Sequence, residues 1–477
     1  MSGNCSENRA IVIGGGIAGL LTARVLADRF ETVTIIERDR YPEESKSRSG
    51  VPQCHHVHSL LTKGHRILEQ LFPGLTASLM EKGGFKFDWT ADFAWLLSVN
   101  DVWTPRFPSE INTCICSRNL LEFTIRKHLG NFSGVEFLED ATVTELLTNS
   151  DRTAVEGVAV RVGRDRQMEL SAQLVVDASG RNSDAPKWLE TLGYETPQET
   201  KVNSFLGYSS RVYQLPELKA RDWKLLYVMP SAPNKPRGGI IYALEDNSWM
   251  VTLVGLGKDY PPTEETGFLD FARSLRNEVI YQTIANARPI SPIYPYRNSQ
   301  NRLCHYEKLE RMPEKFLVLG DAVCSLNPVY GQGMTLAASN ALTLASCLER
   351  QEQSRGKGNF EGLSRRFQKE IAKVDRVFWS LSTSDDLRWP TTVGAQPDPI
   401  TKLMQKYLDR VMKATVEHKS VYKALIEVMQ MLKPPTSLFA PHILLKVLQH
   451  ELKSTLTRKT IDDNFIHHVP KMGPTEP

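Results

Sequence analysis

The stretch Arg9–Leu20, RAIVIGGGIAGL, constrains the fold more than any other part of the chain. A short β-branched run ends in three consecutive glycines, and helix-forming residues begin immediately after them. Gly14, Gly16 and Gly19 fill the slots of G-x-G-x-x-G, with Ala18 between the last two. Gly14 permits a tight strand-to-helix turn, Gly16 lets a pyrophosphate approach the backbone, and Gly19 lets the helix lie close to the sheet. Unpaired N–H groups at the helix start carry partial positive charge and attract that pyrophosphate. A second strand, TVTIIERD, leads to Glu37, 23 positions beyond Gly14, where an acid can accept hydrogen bonds from an adenosine ribose. Strand, glycines, helix, strand and acid occur in order, so a dinucleotide site is expected; FAD and NAD(P) both fit it.

A second signature, EKFLVLGDAVCSLNPVYGQGMTL, bears on that choice. A buried strand delivers Gly320-Asp321, and a loop with Pro328, Gly331 and Gly333 opens a long helix near Met334. Asp321 at a strand end can bind ribityl hydroxyls, and the glycines let backbone meet a planar ring edge-on. The positive end of the helix would face the ring edge on which reduction places negative charge. FAD is the expected cofactor.

With these segments in view, the chain resembles the FAD-dependent monooxygenases built like para-hydroxybenzoate hydroxylase, and within them the branch of polyether-type epoxidases and tailoring hydroxylases. The resemblance runs nearly end to end, through GGGIAG, ERDRYPEESKSRSGVPQCHHVH, SRNLLEFTIRKHL, LVVDASGRNS, GDAVCSLNPVYGQGM and LMQKYLDRVMKA…LKPPTSLFAPHILLKVL. It implies that Arg48 and Arg118 reach the FAD phosphates or ribityl chain and that Val143 meets the adenine through its backbone. It implies insertion of one oxygen atom of O2 into an apolar organic substrate through a flavin C4a-hydroperoxide. Two departures narrow this. NSWMVTL and PKWLETL do not match the W-x-W-x-I-P of flavin halogenases, which counts against halogenation. LVVDASGRNSDAPKW stands where many single-component hydroxylases carry an Asp-Gly motif, so NAD(P)H and a partner flavin reductase both remain as electron sources.

The segment VPQCHHVHSLL places Cys54, His55, His56 and His58 within five positions. As extended chain, Cys54, His56 and His58 share one face. Three ligands would need a fourth from elsewhere, and no companion has metal-motif spacing, so no metal is expected. By resemblance the segment leads toward the flavin, which makes Gln53, His56 and His58 candidates for the flavin or substrate mouth; plain hydrogen-bonding loop histidines are the alternative.

The bulk numbers set outer limits. A balance of 58 basic and 55 acidic residues gives +3, too small for a nucleic-acid surface. Seven scattered cysteines form no disulfide framework, which points to a reducing, cytoplasmic setting. The apolar run Ile11–Ala27 is broken by glycines and lacks a basic leader, and no later run is long enough to span a membrane.

The expected fold class is α/β (α+β overall): a Rossmann-like FAD-binding domain with an inserted antiparallel-sheet substrate domain and a C-terminal helical region. The flavin domain takes residues 1–84, 115–200 and 294–350. The substrate domain takes 85–114 and 201–293, where period-2 runs such as SFLGYSSRVYQL and NSWMVTLVGLG read as strands. The aromatics of Phe85–Phe107 are expected to join that domain's wall, as packing singly and as an apolar pocket collectively. A polar linker near 350–362 precedes helices over 363–470, which pack onto the flavin domain by default and leave peripheral membrane contact open; His467–Pro477 reads as a frayed tail. The rival readings are an FAD-dependent reductase or dehydrogenase of a polyprenyl or carotenoid-like substrate, and a non-enzymatic prenyl-binding protein on the same scaffold.

Overall fold

The β-branched run Arg9–Ile13 is the central strand of a five-stranded, all-parallel sheet. The computed structural model describes residues 8–99, 101–214, 221–457 and 470. Leu174–Asp177 and Thr32–Ile36 flank the central strand, and Phe316–Val318 and Val135–Leu138 form the edges. Ile11, Val12, Ile35, Val175 and Leu317 are fully shielded, as strands covered on both faces require. The helix Ile17–Leu26 packs against Gly333–Arg355, so the helices that follow the two signatures touch. A three-stranded antiparallel sheet, Ala141–Thr148, Val155–Val162 and Arg166–Ser171, continues from the Val135–Leu138 edge.

The second large sheet has seven strands, with Gly207–Gln214, Ser248–Gly255, Arg237–Ala243 and Leu225–Val228 adjacent and antiparallel. Phe93–Leu96 adds to its edge in parallel with Leu225–Val228. Two helices, Glu265–Arg273 and Val279–Ile284, interrupt the strands of this region. Phe268, Phe271, Ala272 and Leu275 recur at helical spacing and bury against the sheet.

The C-terminal helices depart from the expected packing. Leu363–Asp386 does lie on Gly333–Arg355, but Pro399–Ala414, Lys419–Met429 and Pro441–Thr457 cover the second sheet instead. Val411, Met412, Tyr422, Leu425 and Ile443 pack there against Phe87, Trp89, Phe93 and Trp95. Those aromatics are therefore core and not a pocket. Phe87 meets Trp89 edge-on at 4.9 Å, and Phe93 stacks on Trp95 at 5.5 Å. The linker expected at 350–362 is helical as far as Arg355, since Gln, Glu and Arg favour helix, and ends where Gly356 adopts φ 86°. The tail expected at His467–Pro477 lies outside the described residues apart from Pro470. Among the described residues no helix is long and apolar enough to cross a membrane.

Candidate flavin site and adjoining cleft

The two signatures converge at one place. Gly320 adopts φ +65°, and a Cβ there would come within 3.0 Å of the Ala18 Cβ. Glycine at 320 and a small residue at 18 together let the GD turn seat on the first helix. The turn is held by Asn340, whose Oδ1 accepts from the Gly320 N–H at 3.0 Å. Asn340 Nδ2 in turn donates to Asp375 at 2.9 Å.

Gly14 has φ +94° and donates its N–H to Ile36 O at 2.8 Å, tying the turn to the second strand. A Cβ at Gly19 would lie 1.8 Å from Gly14 O, so only glycine allows this approach. At Gly16, by contrast, a Cβ would meet nothing within 4 Å. The open side of the loop is thus at Gly16, next to the start of the helix.

Glu37 is buried, and its Oε2 accepts the Gly15 N–H at 2.8 Å. The Tyr41 hydroxyl donates to Gly15 O at 3.0 Å. Arg48 lies among three carboxylates: Glu37 at 3.1 Å, Asp39 at 3.0 Å and Glu122 at 2.8 Å. Glu122 also receives Arg118 Nη2 at 3.0 Å, while buried Arg118 Nε has no hydrogen-bond partner. Ser117 caps the helix Arg118–Leu129 by accepting from Leu120 N at 3.1 Å, which fixes Arg118 at its first position. Val143 sits on the strand beyond Glu37 at a register shift, paired with Val160.

Burial raises the Asp321 carboxyl above the usual range, although Arg181, Arg118 and Arg302 pull the other way. A Cβ at Gly333 would lie 3.9 Å from Asp321 Oδ1. Pro328–Tyr330 form a single 3-10 turn, with Asn327 accepting from Val329 N at 3.2 Å and Gly331 at φ +64°. The helix then starts at Gly333, with Met334 buried in its first turn and Gln332 Oε1 without a partner. A Cβ at Gly331 would lie 3.4 Å from Ser59 O, so this loop rests on the histidine segment.

That segment joins the two sheets. His56 Nδ1 is 2.7 Å from Ser210 Oγ, which is 2.6 Å from Thr252 Oγ1. The register Ser210↔Thr252 places those two hydroxyls side by side. His58 Nε2 donates to Gln53 O at 2.6 Å, and His55 stacks on Tyr294 at 3.9 Å. Burial lowers His56 to about 4; burial and then Arg118 lower His58 to about 3. Both are neutral at physiological pH. Among the described residues no group of three His, Cys, Asp or Glu side chains could hold a metal ion.

Behind the loop is a carboxylate that local sequence patterns do not reveal. Buried Asp386 accepts from Asn301 Nδ2 at 2.6 Å, Tyr330 Oη at 2.9 Å, Ser204 Oγ at 3.0 Å and Asn327 Nδ2 at 3.1 Å. Burial outweighs those donors and lifts it to about 6. In front is a cleft of ≈ 560 Å³, open mouth included. Leu206, Tyr227, Met229, Val329, Tyr330 and Trp389 line it, with Asp385, Arg388 and Asp409 at one side.

The glycine geometry, the open position at Gly16, and the unpartnered Arg118 Nε and Gln332 Oε1 fit a dinucleotide with a flavin ring at the second loop. A family model described as an FAD binding domain matches residues 7–374. The chain belongs to the FAD-binding domain family. Protein Rv3254 of Mycobacterium tuberculosis (strain ATCC 25618 / H37Rv) is 31% identical over 388 residues, 80% of each chain. The flavin-dependent brominase Bmp2 superposes with a TM-score of 0.65 at 13% identity, covering 95% of this chain and 100% of its own. PqsL, a probable FAD-dependent monooxygenase from Pseudomonas aeruginosa, gives 0.57 at 17% identity, covering 80% and 98%. At such identities the likeness establishes the fold, and a fold hosts several chemistries. Membership in the family agrees with the expected α/β flavoprotein architecture and its FAD cofactor.

One outcome concerns the support of the GD turn. Burial, opposed by the Asn340 hydrogen bond, raises Asp375 to about 7, and its Oδ2 has no partner. A raised folded pKa gives stability that is complete below the unfolded value and lost as pH rises through the folded one. Wild type should therefore lose about 2 kcal/mol between pH 5 and pH 8 that Asp375→Asn does not lose. Urea unfolding of both proteins at the two pH values checks this; parallel pH profiles would disprove it.

Proposed function

We propose that the protein is a flavin-dependent monooxygenase, of the epoxidase or tailoring-hydroxylase kind, inserting one oxygen atom of O2 into an apolar organic substrate. The observation that carries this reading is a shared loop. Val329 and Tyr330 belong both to the turn between Asp321 and Gly331 and to the wall of the cleft, which sets Leu206, Met229 and Trp389 beside polar groups. Gly14, Gly16, Ala18 and Gly19 would seat the pyrophosphate, with Arg48 and Arg118 on the phosphates or ribityl chain. Glu37 and Val143 would take the adenosine end; Asp321, Pro328, Gly331, Gly333 and Met334 would take the ribityl and ring end. Bound FAD supplies the activation of O2 that no side chain here can perform. The chain's own work is to orient the substrate and to exclude water. Gln53 and the neutral rings of His56 and His58 would make an uncharged polar wall at the mouth.

In this reading the flavin half is 1–84, 115–200 and 294–350, the substrate half is 85–114 and 201–293, and within the helical region 363–470 the helices from Pro399 to Thr457 close the second sheet. Electrons come from NAD(P)H directly or through a partner reductase. The test has two readouts. Anaerobic mixing of the FAD-loaded protein with NADPH or NADH should bleach the yellow flavin band if hydride is taken directly; persistent colour assigns the electrons to a partner. Under O2 with reduced flavin, the product of an accepted apolar substrate should gain the mass of one oxygen. A product changed only in hydrogen count would establish the reductase reading, and a protein that rejects FAD would end both.

A further inference from the structure

We propose that the cleft selects an apolar substrate bearing a hydrogen-bond donor, a hydroxyl or an amine, and rejects carboxylates. The proposal deepens the monooxygenase reading and rests on it for the identity of the cleft as a substrate site.

The polar side of the cleft is built from Asp385, Arg388 and Asp409. Arg388 is its one cation among the lining residues, and all its nitrogens are committed. Nε lies 3.3 Å from Asp385 Oδ1, Nη1 donates to Asp409 at 2.8 Å, and Nη2 donates to Gln405 O at 3.2 Å. A substrate carboxylate would therefore meet a guanidinium that is only 17% exposed and already paired with two acids, and it would face those acids. Asp386, directly behind Tyr330, adds a third acid to the same side.

The acceptors, in contrast, have capacity left. Asp385 takes one hydrogen bond from Tyr330 Oη at 3.2 Å besides its contact with Arg388, whereas a carboxylate offers about four lone-pair sites. Asp385 and Asp409 are each about one-third exposed, at 30% and 35%, so a ligand in the cleft can reach them. Among the other lining residues, which include Ser98 and Ser231, Leu206, Tyr227, Met229, Leu256 and Trp389 offer surface to an apolar or aromatic body. A donor head on such a body would pair with the acids while its body lies toward Val329 and Tyr330, the residues shared with the flavin loop.

The test uses the full-length, FAD-loaded protein and three probes sharing one body: 4-phenylphenol, 4-phenylbenzylamine and biphenyl-4-carboxylate. Binding is followed at neutral pH by tryptophan fluorescence and by perturbation of the flavin spectrum. The phenol and the amine should bind at least about tenfold more tightly than the carboxylate. Asp409→Asn, at the more exposed acid, should narrow that preference, and Asp385→Asn should narrow it further. Equal or tighter binding of the carboxylate overturns the proposal, and so does failure of all three probes to bind. An unchanged ranking in both variants shows that the acids do not select. FAD stoichiometry measured on the same samples separates the two levels: loss of FAD defeats the flavin reading, whereas a wrong ranking with FAD intact defeats only the substrate class.

Discussion

Replacing Gly16 with leucine should weaken FAD binding by at least about 100-fold, or roughly 2.7 kcal/mol, while the apoprotein folds normally. The two halves of this expectation have separate physical grounds. Gly16 has φ −74° and ψ −176°, which any L-residue adopts, and a Cβ there meets nothing within 4 Å. The side chain therefore starts into space that the protein leaves empty, and its Cβ meets no steric penalty. That same space lies at the first turn of the helix, where the dinucleotide pyrophosphate must approach the backbone amides. Gly19 is the necessary contrast. Its Cβ would strike Gly14 O at 1.8 Å, so Gly19→Ala should unfold or distort the turn itself. Thermal melts of the apoproteins and FAD titration by flavin fluorescence distinguish the two. If Gly16→Leu binds FAD as wild type does, the pyrophosphate does not lie there and the assignment of the loop fails.

The contrast also shows where the sequence was legible. The glycine loop and the GD turn could be read because each is built from residues within a few positions of one another. Their special backbone angles also demand particular residue types: Gly14 at φ +94° and Gly320 at φ +65°. The parallel sheet was legible for a related reason, since runs such as AIVI and LVVD have no polar face to turn outward. The helix Glu265–Arg273 was missed among the strands although Phe268, Phe271, Ala272 and Leu275 carry its period, because the alternating runs on either side dominated the reading. The acids around the cleft could not be found this way. Asp386 is brought to Ser204, Asn301 and Asn327 from 182, 85 and 59 positions away. No periodicity spans such distances, and only the packing of the helix Leu363–Asp386 creates the contact. The C-terminal helices were identified as helices, but the partner of their apolar face was not. Val411 and Met412 are apolar whether they meet the flavin domain or the aromatics of Phe87–Trp95.

Arg48 joins the two lines of argument, and Arg48→Met should destabilise the protein by about 3–5 kcal/mol at pH 7.5. The resemblance assigns this arginine to the cofactor, whereas the structure shows it first as the counter-charge of Glu37, Asp39 and Glu122, with its side chain only 7% exposed. Burial alone would raise Asp39, yet donors from Gly50, Ser49 and Arg48 hold it below its usual value. Glu122 behaves alike: burial raises it, and the charges of Arg118 and Arg48 bring it down further. Depressed folded pKa values mean stability that is present above the unfolded values near 4 and lost as pH falls through the folded ones. Methionine keeps much of the side-chain volume but leaves three acids crowded without Arg48, with only Arg118 still on Glu122, so Asp39 and Glu122 regain protons at higher pH. The penalty should therefore be greatest at pH 7.5 and shrink at pH 5, where the variant's carboxylates are partly neutral. Urea unfolding of the apoproteins at both pH values measures this without cofactor. A penalty below about 1 kcal/mol, the size of a surface ion pair, would mean that the three acids do not depend on Arg48. In that case its charge would be free for the FAD phosphates, and FAD affinity of the variant, rather than its stability, would carry the loss.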